Sequence, residues 1–217
     1  GVKVPQFSFM RLSGADPVLG VEMLSTGEVA CLGENFSDAF LKALESAEFK
    51  IPPAGGSVLI TVGGEELKKK VIPLARTLRK LGFKIYATEH TAKTLHNAGL
   101  NSVTVLHKVR EQNKKPNILE YLLQRKIDLI INIPTINATE YKNILEDEYI
   151  IRRLAVEFNV PVVTTLELAL ALIKVLRQSV NQKFTIHPLN EYPRLAPAKG
   201  ETKNAQRSIP SSDLPVL

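Results

Sequence analysis

From Ser57 onward, short unbroken apolar runs alternate with stretches in which apolar residues return every three or four positions. The first pattern fits strands buried on both faces, and the second fits helices with one apolar side. Val58–Val62, Phe83–Ala87, Val103–Leu106, Ile127–Asn132 and Val160–Thr164 read as strands. Val71, Leu74, Leu78 and Leu81 fall at helical spacing, and Gly82 supplies the stop. Pro73 inside that pattern predicts a helix that starts late or kinks, because an interior proline costs about 3 kcal/mol. Further helices are expected over 92–98, over 148–158, over 166–177, and across Ile118, Leu119, Leu122 and Leu123 with Pro116 in the first turn. Strands alternating with helices imply an α/β fold, a mostly parallel sheet of about five strands with helices on both faces.

The flanks have other rhythms. Residues 1–34 alternate short β-like pieces with turn chemistry at Ser13-Gly14, Asp16-Pro17 and Thr26-Gly27. Phe40, Leu41 and Leu44 then mark one face of a helix running to Phe49, with Ser37 at its expected N-cap. Residues 51–56 are a Pro- and Gly-rich linker, which sets domains at 1–50 and 57–178. Residues 181–217 hold five prolines and no apolar period, so the tail from 179 is expected to be mostly disordered. Gly1 is not a natural start, and the chain is expected to be a piece of a longer one.

Ligands of parallel sheets sit beyond the carboxyl ends of the strands. Polar residues cluster after each strand here: Lys68 to Lys70, Thr88 and Thr91, His107 and Lys108, Asn132 and Thr135, Thr164 and Thr165. Thr88 and Thr91 stand where a helix leaves its first N–H groups unpaired, so hydroxyls, N–H groups and helix dipole together favour a phosphate or carboxylate. Lys68 and Lys108 could neutralise that anion, and an asparagine amide could read a sugar or base. Taken alone, Thr88 or Thr91 is as simply read as an N-cap, and Lys69 and Lys70 as a solvated helix start. No carboxylate base is expected opposite the threonines, since Glu111 is the only acid between Asn101 and Glu120. No Gly-rich phosphate loop with Lys-Ser/Thr, G-x-G-x-x-G or G-x-S-x-G occurs. A binding rim without an acid–base pair suggests a sensor rather than a catalyst.

The formal charge of +6 suits an anionic ligand, but aromatics are only 6% and form no nucleic-acid stripe, so no nucleic acid is expected. The longest apolar runs fall far short of the ~20 residues that cross a bilayer, so no membrane partner is expected either. Cys31 is the only cysteine, which precludes an internal disulfide, and the four histidines lack metal spacing.

Two sets of residues carry a resemblance. Phe9–Glu28 spells F-x-x-x-x-G-x-D-P-x-L-G-x-E-M-x-S-T-G-E, which resembles the end of the second ATP-grasp unit of the carbamoyl-phosphate synthase large chain. Residues 57–178, with A-T-x-x-T at Ala87–Thr91, I-N at Ile131-Asn132 and Y-I-I-R-R at Tyr149–Arg153, resemble the methylglyoxal-synthase-like allosteric domain that follows it. The resemblance implies a ligase making carbamoyl phosphate from bicarbonate, ATP and ammonia from a glutaminase chain or domain, for pyrimidine and arginine synthesis. It implies no cofactor in this segment, with ATP and Mg or Mn serving the full enzyme. It also implies a cytoplasmic setting, or the mitochondrial matrix for the urea-cycle type.

Within the family, the effector is UMP or IMP in the bacterial form and N-acetylglutamate in the urea-cycle form. The resemblance carries the allosteric ligand site to Lys68, Thr88, Thr91, Lys108, Asn132 and Thr135, with no catalytic or metal residue. Lys108, in V-L-H-K-V, resembles the nucleotide-binding form; Ile133-Pro134-Thr135 departs from its consecutive threonines, and Val4 from the glutamate of ornithine-responsive chains. Transmission to the ATP-grasp unit is expected through the helix 37–49. The rival readings are a free-standing methylglyoxal-synthase-like lyase, whose acidic residues after the third and fourth strands are replaced by Arg110-Glu111-Gln112 and Ile133-Pro134-Thr135, and a structural domain with an empty rim.

Overall fold

A computed structural model describes residues 1–18, 27–134, 142–179 and 186–192 of the chain. The chain divides into two compact units, one of residues 1–7, 20–49 and 178–217, the other of residues 8–19 and 50–177.

In the first unit, β1 (Val2–Gln6) pairs antiparallel with β2 (Gly27–Cys31), Val4 opposite Val29. Helix α1 (Phe36–Ser46) packs on this ribbon through Ala39, Phe40, Leu41, Ala43 and Leu44, all buried. Its N-cap is Asn35 rather than the expected Ser37: the Asn35 amide oxygen accepts the Asp38 N–H at 3.0 Å, and the Asp38 carboxylate accepts the Glu34 N–H at 3.0 Å. Ser37 is buried one residue into the helix. At Gly33 a Cβ would lie 2.3 Å from the Ala39 backbone nitrogen, so only glycine lets the chain enter α1 this closely. Of the tail, residues 186–192 form a short turn in this unit. His187 lies between Glu34 and Glu191 at 3.4 Å from each, and the Tyr192 hydroxyl donates to the Leu32 carbonyl.

The second unit runs β3 (Ser57–Val62), α2 (Glu65–Lys80), β4 (Lys84–Ala87), α3 (Glu89–Asn97), β5 (Thr104–Val105), α4 (Ile118–Leu123), β6 (Leu129–Ile133), α5 (Lys142–Glu157), β7 (Val162–Val163) and α6 (Leu166–Ser179). All five strands are parallel, in the order β5-β4-β3-β6-β7. Every residue of β3 and β6 is buried, as covered parallel strands require. Leu59 and Ile130 face a core built with Ile118 and Leu122 of α4 and Ile151 and Ala155 of α5. Val58, Ile60 and Ile131 alternate to the opposite face.

Two expectations about prolines are corrected: α2 does not start late at Pro73, and Pro116 does not lie in the first turn of its helix. Pro73 lies inside a continuous α2 on its exposed side, so the helical carbonyl it leaves unpaired, that of exposed Lys69, can be hydrated. Burial of Val71, Leu74 and Leu78, worth about 1.5–3 kcal/mol each, outweighs the roughly 3 kcal/mol proline penalty. Pro116 precedes its helix instead of opening it: the Lys115–Pro116 bond is cis, and Asn117 caps α4 by accepting the Leu119 N–H at 2.9 Å.

Candidate anion-binding cleft

The chain moves from β3 outward to β4 and β5, then returns to the other side of β3 for β6, which makes the β3/β6 boundary a topological switch point. There, within the second unit, a cleft of about 460 Å³ opens at the carboxyl ends of the strands. Its floor is Thr61, Val62 and Gly63 at the end of β3, and two helices start at its rim.

Both helix starts lack a side-chain cap. Gly64 is the N-cap of α2, at φ +70 where a side chain would be strained, and Thr88 is the N-cap of α3 but its hydroxyl bonds to no helix N–H. The Thr88 hydroxyl instead lies 3.4 Å from that of Thr61 and 3.5 Å from that of Thr91, and the Thr91 hydroxyl accepts the Val62 N–H at 3.3 Å. These distances are long for hydroxyl hydrogen bonds, whose mode is about 2.7–2.8 Å. Three buried hydroxyls therefore stand loosely bonded beside two open helix N-termini.

Two cations enter the same cleft, each already met by a carboxylate. Lys68 Nζ bonds Glu65 Oε1 at 2.7 Å and holds that carboxyl below its ordinary value of 4.5. Lys108 Nζ bonds Asp147 Oδ2 at 2.8 Å, while Arg110 lies 3.5 Å from the other oxygen. Asp147, Glu148 and Ile151 of α5 form the facing wall. An anion entering the cleft would have to exchange with Glu65 and Asp147 for these two lysines.

The structure brings Lys68, Thr88, Thr91 and Lys108 to one cleft. Asn132 does not line it: the residue is fully buried, its amide oxygen accepts from Arg152 Nη1 at 2.7 Å, and its amide nitrogen has no hydrogen-bond partner among the described residues. Thr135 lies outside the described residues. Glu111 is no cleft acid: it accepts the Lys108 N–H and bonds Lys114, which holds its carboxyl low. The expectation that no carboxylate faces the threonines is corrected, since Asp147 and Glu148 come from α5 rather than from the loop after the third strand. The acidic run 146–148 directly ahead of Y-I-I-R-R was the available signal. Thr61, a hydroxyl at the end of an apolar strand, was a fainter one. Among the described residues no cluster of three or more His, Cys, Asp or Glu could hold a metal, and no helix is long and apolar enough to cross a membrane.

Comparison with known proteins agrees with this architecture. Residues 70–164 match the family model of the MGS-like domain, a span that includes Thr88, Thr91, Lys108 and Asn132. The multifunctional protein pyr-3 of Neurospora crassa is 42% identical over 80% of this chain and 10% of its own length. The carbamoyl phosphate synthase large chain of Acidobacterium capsulatum is 41% identical over 87% of this chain and 16% of its own, and the multifunctional protein CAD of Squalus acanthias 38% over 82% and 8%. The chain therefore spans between 8% and 16% of the length of these relatives. Residues 70–164 of the α/β unit are an MGS-like domain, in a chain that is similar over about four fifths of its length to the carbamoyl phosphate synthase large chain and to the multifunctional proteins pyr-3 and CAD.

Proposed function

We propose that this chain is the regulatory, effector-binding region of a carbamoyl-phosphate synthase large chain, and that its cleft takes a phosphate-bearing nucleotide such as UMP or IMP. The observation that carries this reading is Thr88: it occupies an N-cap position without capping, its hydroxyl turned toward Thr61 and Thr91 in a cleft that also receives Lys68 and Lys108. Phosphate oxygens complete what these groups leave unmade, accepting from the hydroxyls and helix N–H groups and replacing Glu65 and Asp147 on the lysines. The full enzyme would use ATP, Mg or Mn and ammonia from a glutaminase chain or domain, and would make carbamoyl phosphate outside this segment.

Calorimetric titration of the 217-residue chain with UMP, IMP and N-acetylglutamate tests the reading. Saturable nucleotide binding that weakens with salt and is lost in Thr91→Ala and Lys108→Ala supports it. Binding of N-acetylglutamate alone moves the chain to the urea-cycle type. Asp147 and Glu148 favour a second reading, a methylglyoxal-synthase-like lyase acting on dihydroxyacetone phosphate. Against it, Asp147 is engaged by Lys108 at 2.8 Å and by Arg110 at 3.5 Å, so a substrate would have to displace both cations to reach it. Formation of methylglyoxal from dihydroxyacetone phosphate would restore the lyase.

A further inference from the structure

Helix α5 carries two adjacent stripes of side chains with different tasks. Asp147, Glu148 and Ile151, spaced by three and four residues, wall the cleft. Tyr149, Arg152 and Arg153, at the same spacing one step around the helix, hold the segment 8–18. The Tyr149 hydroxyl donates to the Gly14 carbonyl at 2.7 Å. Arg152 forks onto both oxygens of Asp16, and Arg153 Nη1 donates to the carbonyls of Phe9, Leu12 and Ala15. The same Arg152 reaches Asn132 at the end of β6, beside Thr61 of the cleft floor in the sheet register. One rigid helix thus ends in the cleft on one stripe and in a fixed loop on the next.

We infer that α5 is a coupling element: a change in what holds Asp147 in the cleft alters how firmly Arg152 and Arg153 hold segment 8–18, and the loop in turn sets the cleft's affinity. The inference rests on the effector reading for its biological sense but not for its test. The internal i to i−4 backbone bonds of α5 favour its shifting as a unit. Removing the Lys108 anchor on Asp147 should therefore be felt at Tyr149, Arg152 and Arg153, which lie within two turns of it. A coupling of this kind is reciprocal.

Hydrogen exchange in the full chain measures this. The reporters are the Leu12 and Ala15 amides, which bond to the Phe9 and Leu12 carbonyls that Arg153 also holds. Lys108→Ala should speed their exchange several-fold while Leu59 and Ile60 in β3 keep wild-type rates. Asp16→Asn, at a partly exposed carboxylate, should speed it as well, and the double variant should exchange no faster than the quicker single one. Unchanged loop rates in Lys108→Ala, or effects of the two variants that simply multiply, overturn the inference. Saturating UMP should shift the same two amides in the wild type, and Asp16→Asn should change the Kd for UMP. If UMP fails to bind while Lys108→Ala still moves the loop, the nucleotide reading falls and the coupling stands.

Discussion

The cleft and the loop dock lie on the same helix yet treat polar groups in opposite ways. At the dock, Arg152 and Arg153 spend their donors on a carboxylate, an amide oxygen and three carbonyls, several at 2.7–3.1 Å. At the cleft, Thr61, Thr88 and Thr91 are buried, yet the Thr88 hydroxyl lies 3.4 Å and 3.5 Å from the other two. Saturated groups hold the fold together, whereas loosely bonded ones are available to something else. Asn132 is set apart from the threonines by place instead: it is buried against Arg152 and does not line the cleft.

The largest effect should come from breaking the dock on its carboxylate side. Asp16→Ala leaves the Arg152 guanidinium, only 4% exposed, with Asn132 alone, and should cost about 3 kcal/mol of stability in urea unfolding. Arg152→Met should cost less, because Asp16 is 37% exposed and regains water when its partner goes. The reverse order would mean that Arg152 matters as packing rather than as a buried charge.

Next comes a split between the two threonines. Thr91→Ala removes the acceptor of the Val62 N–H inside the fold and should cost about 1 kcal/mol as well as weakening nucleotide binding. Thr88→Ala has no cap bond to lose, so its stability should stay within about 0.5 kcal/mol while nucleotide affinity falls about tenfold. Equal stability losses would return Thr88 to the role of a simple cap.

Sequence rhythm was enough for the sheet, because five buried runs separated by helical stretches admit few topologies, and the parallel five-strand result follows from them. Helix ends were harder to read. Asn35, Ser37 and Asp38 all cap well on chemistry, and only the fold puts Asn35 at the turn. Pro73 was overvalued since a local penalty was weighed without the burial that offsets it. Lys68, Thr88, Thr91 and Lys108 could be placed because each lies in the turn or first helical residues after a strand whose end is fixed by the sheet. Asp147 and Arg152 could not be, since what they meet, Lys108 and Asp16, lies 39 and 136 residues away in the chain and no period encodes it.

The smallest predicted effect concerns the counter-carboxylate in the cleft. Glu65 is held below its ordinary 4.5 by the hydrogen bond from Lys68, so the pair contributes above that value and is lost as pH falls through the depressed one. The Glu65 side chain is 75% exposed, so the stability change should be slight. Anion binding should move the other way: protonating Glu65 frees Lys68 for the ligand. With sulfate as a probe of constant charge, Glu65→Gln should bind about twofold tighter than wild type at pH 7, and the difference should vanish as the wild-type carboxyl protonates. His90, Lys108, Asp147 and Glu148 also face the cleft, but they are common to both proteins and cancel in the comparison. A Glu65→Gln chain that binds sulfate no better than wild type at pH 7 would place the anion away from Lys68 and assign it to Thr88, Thr91 and Lys108 alone.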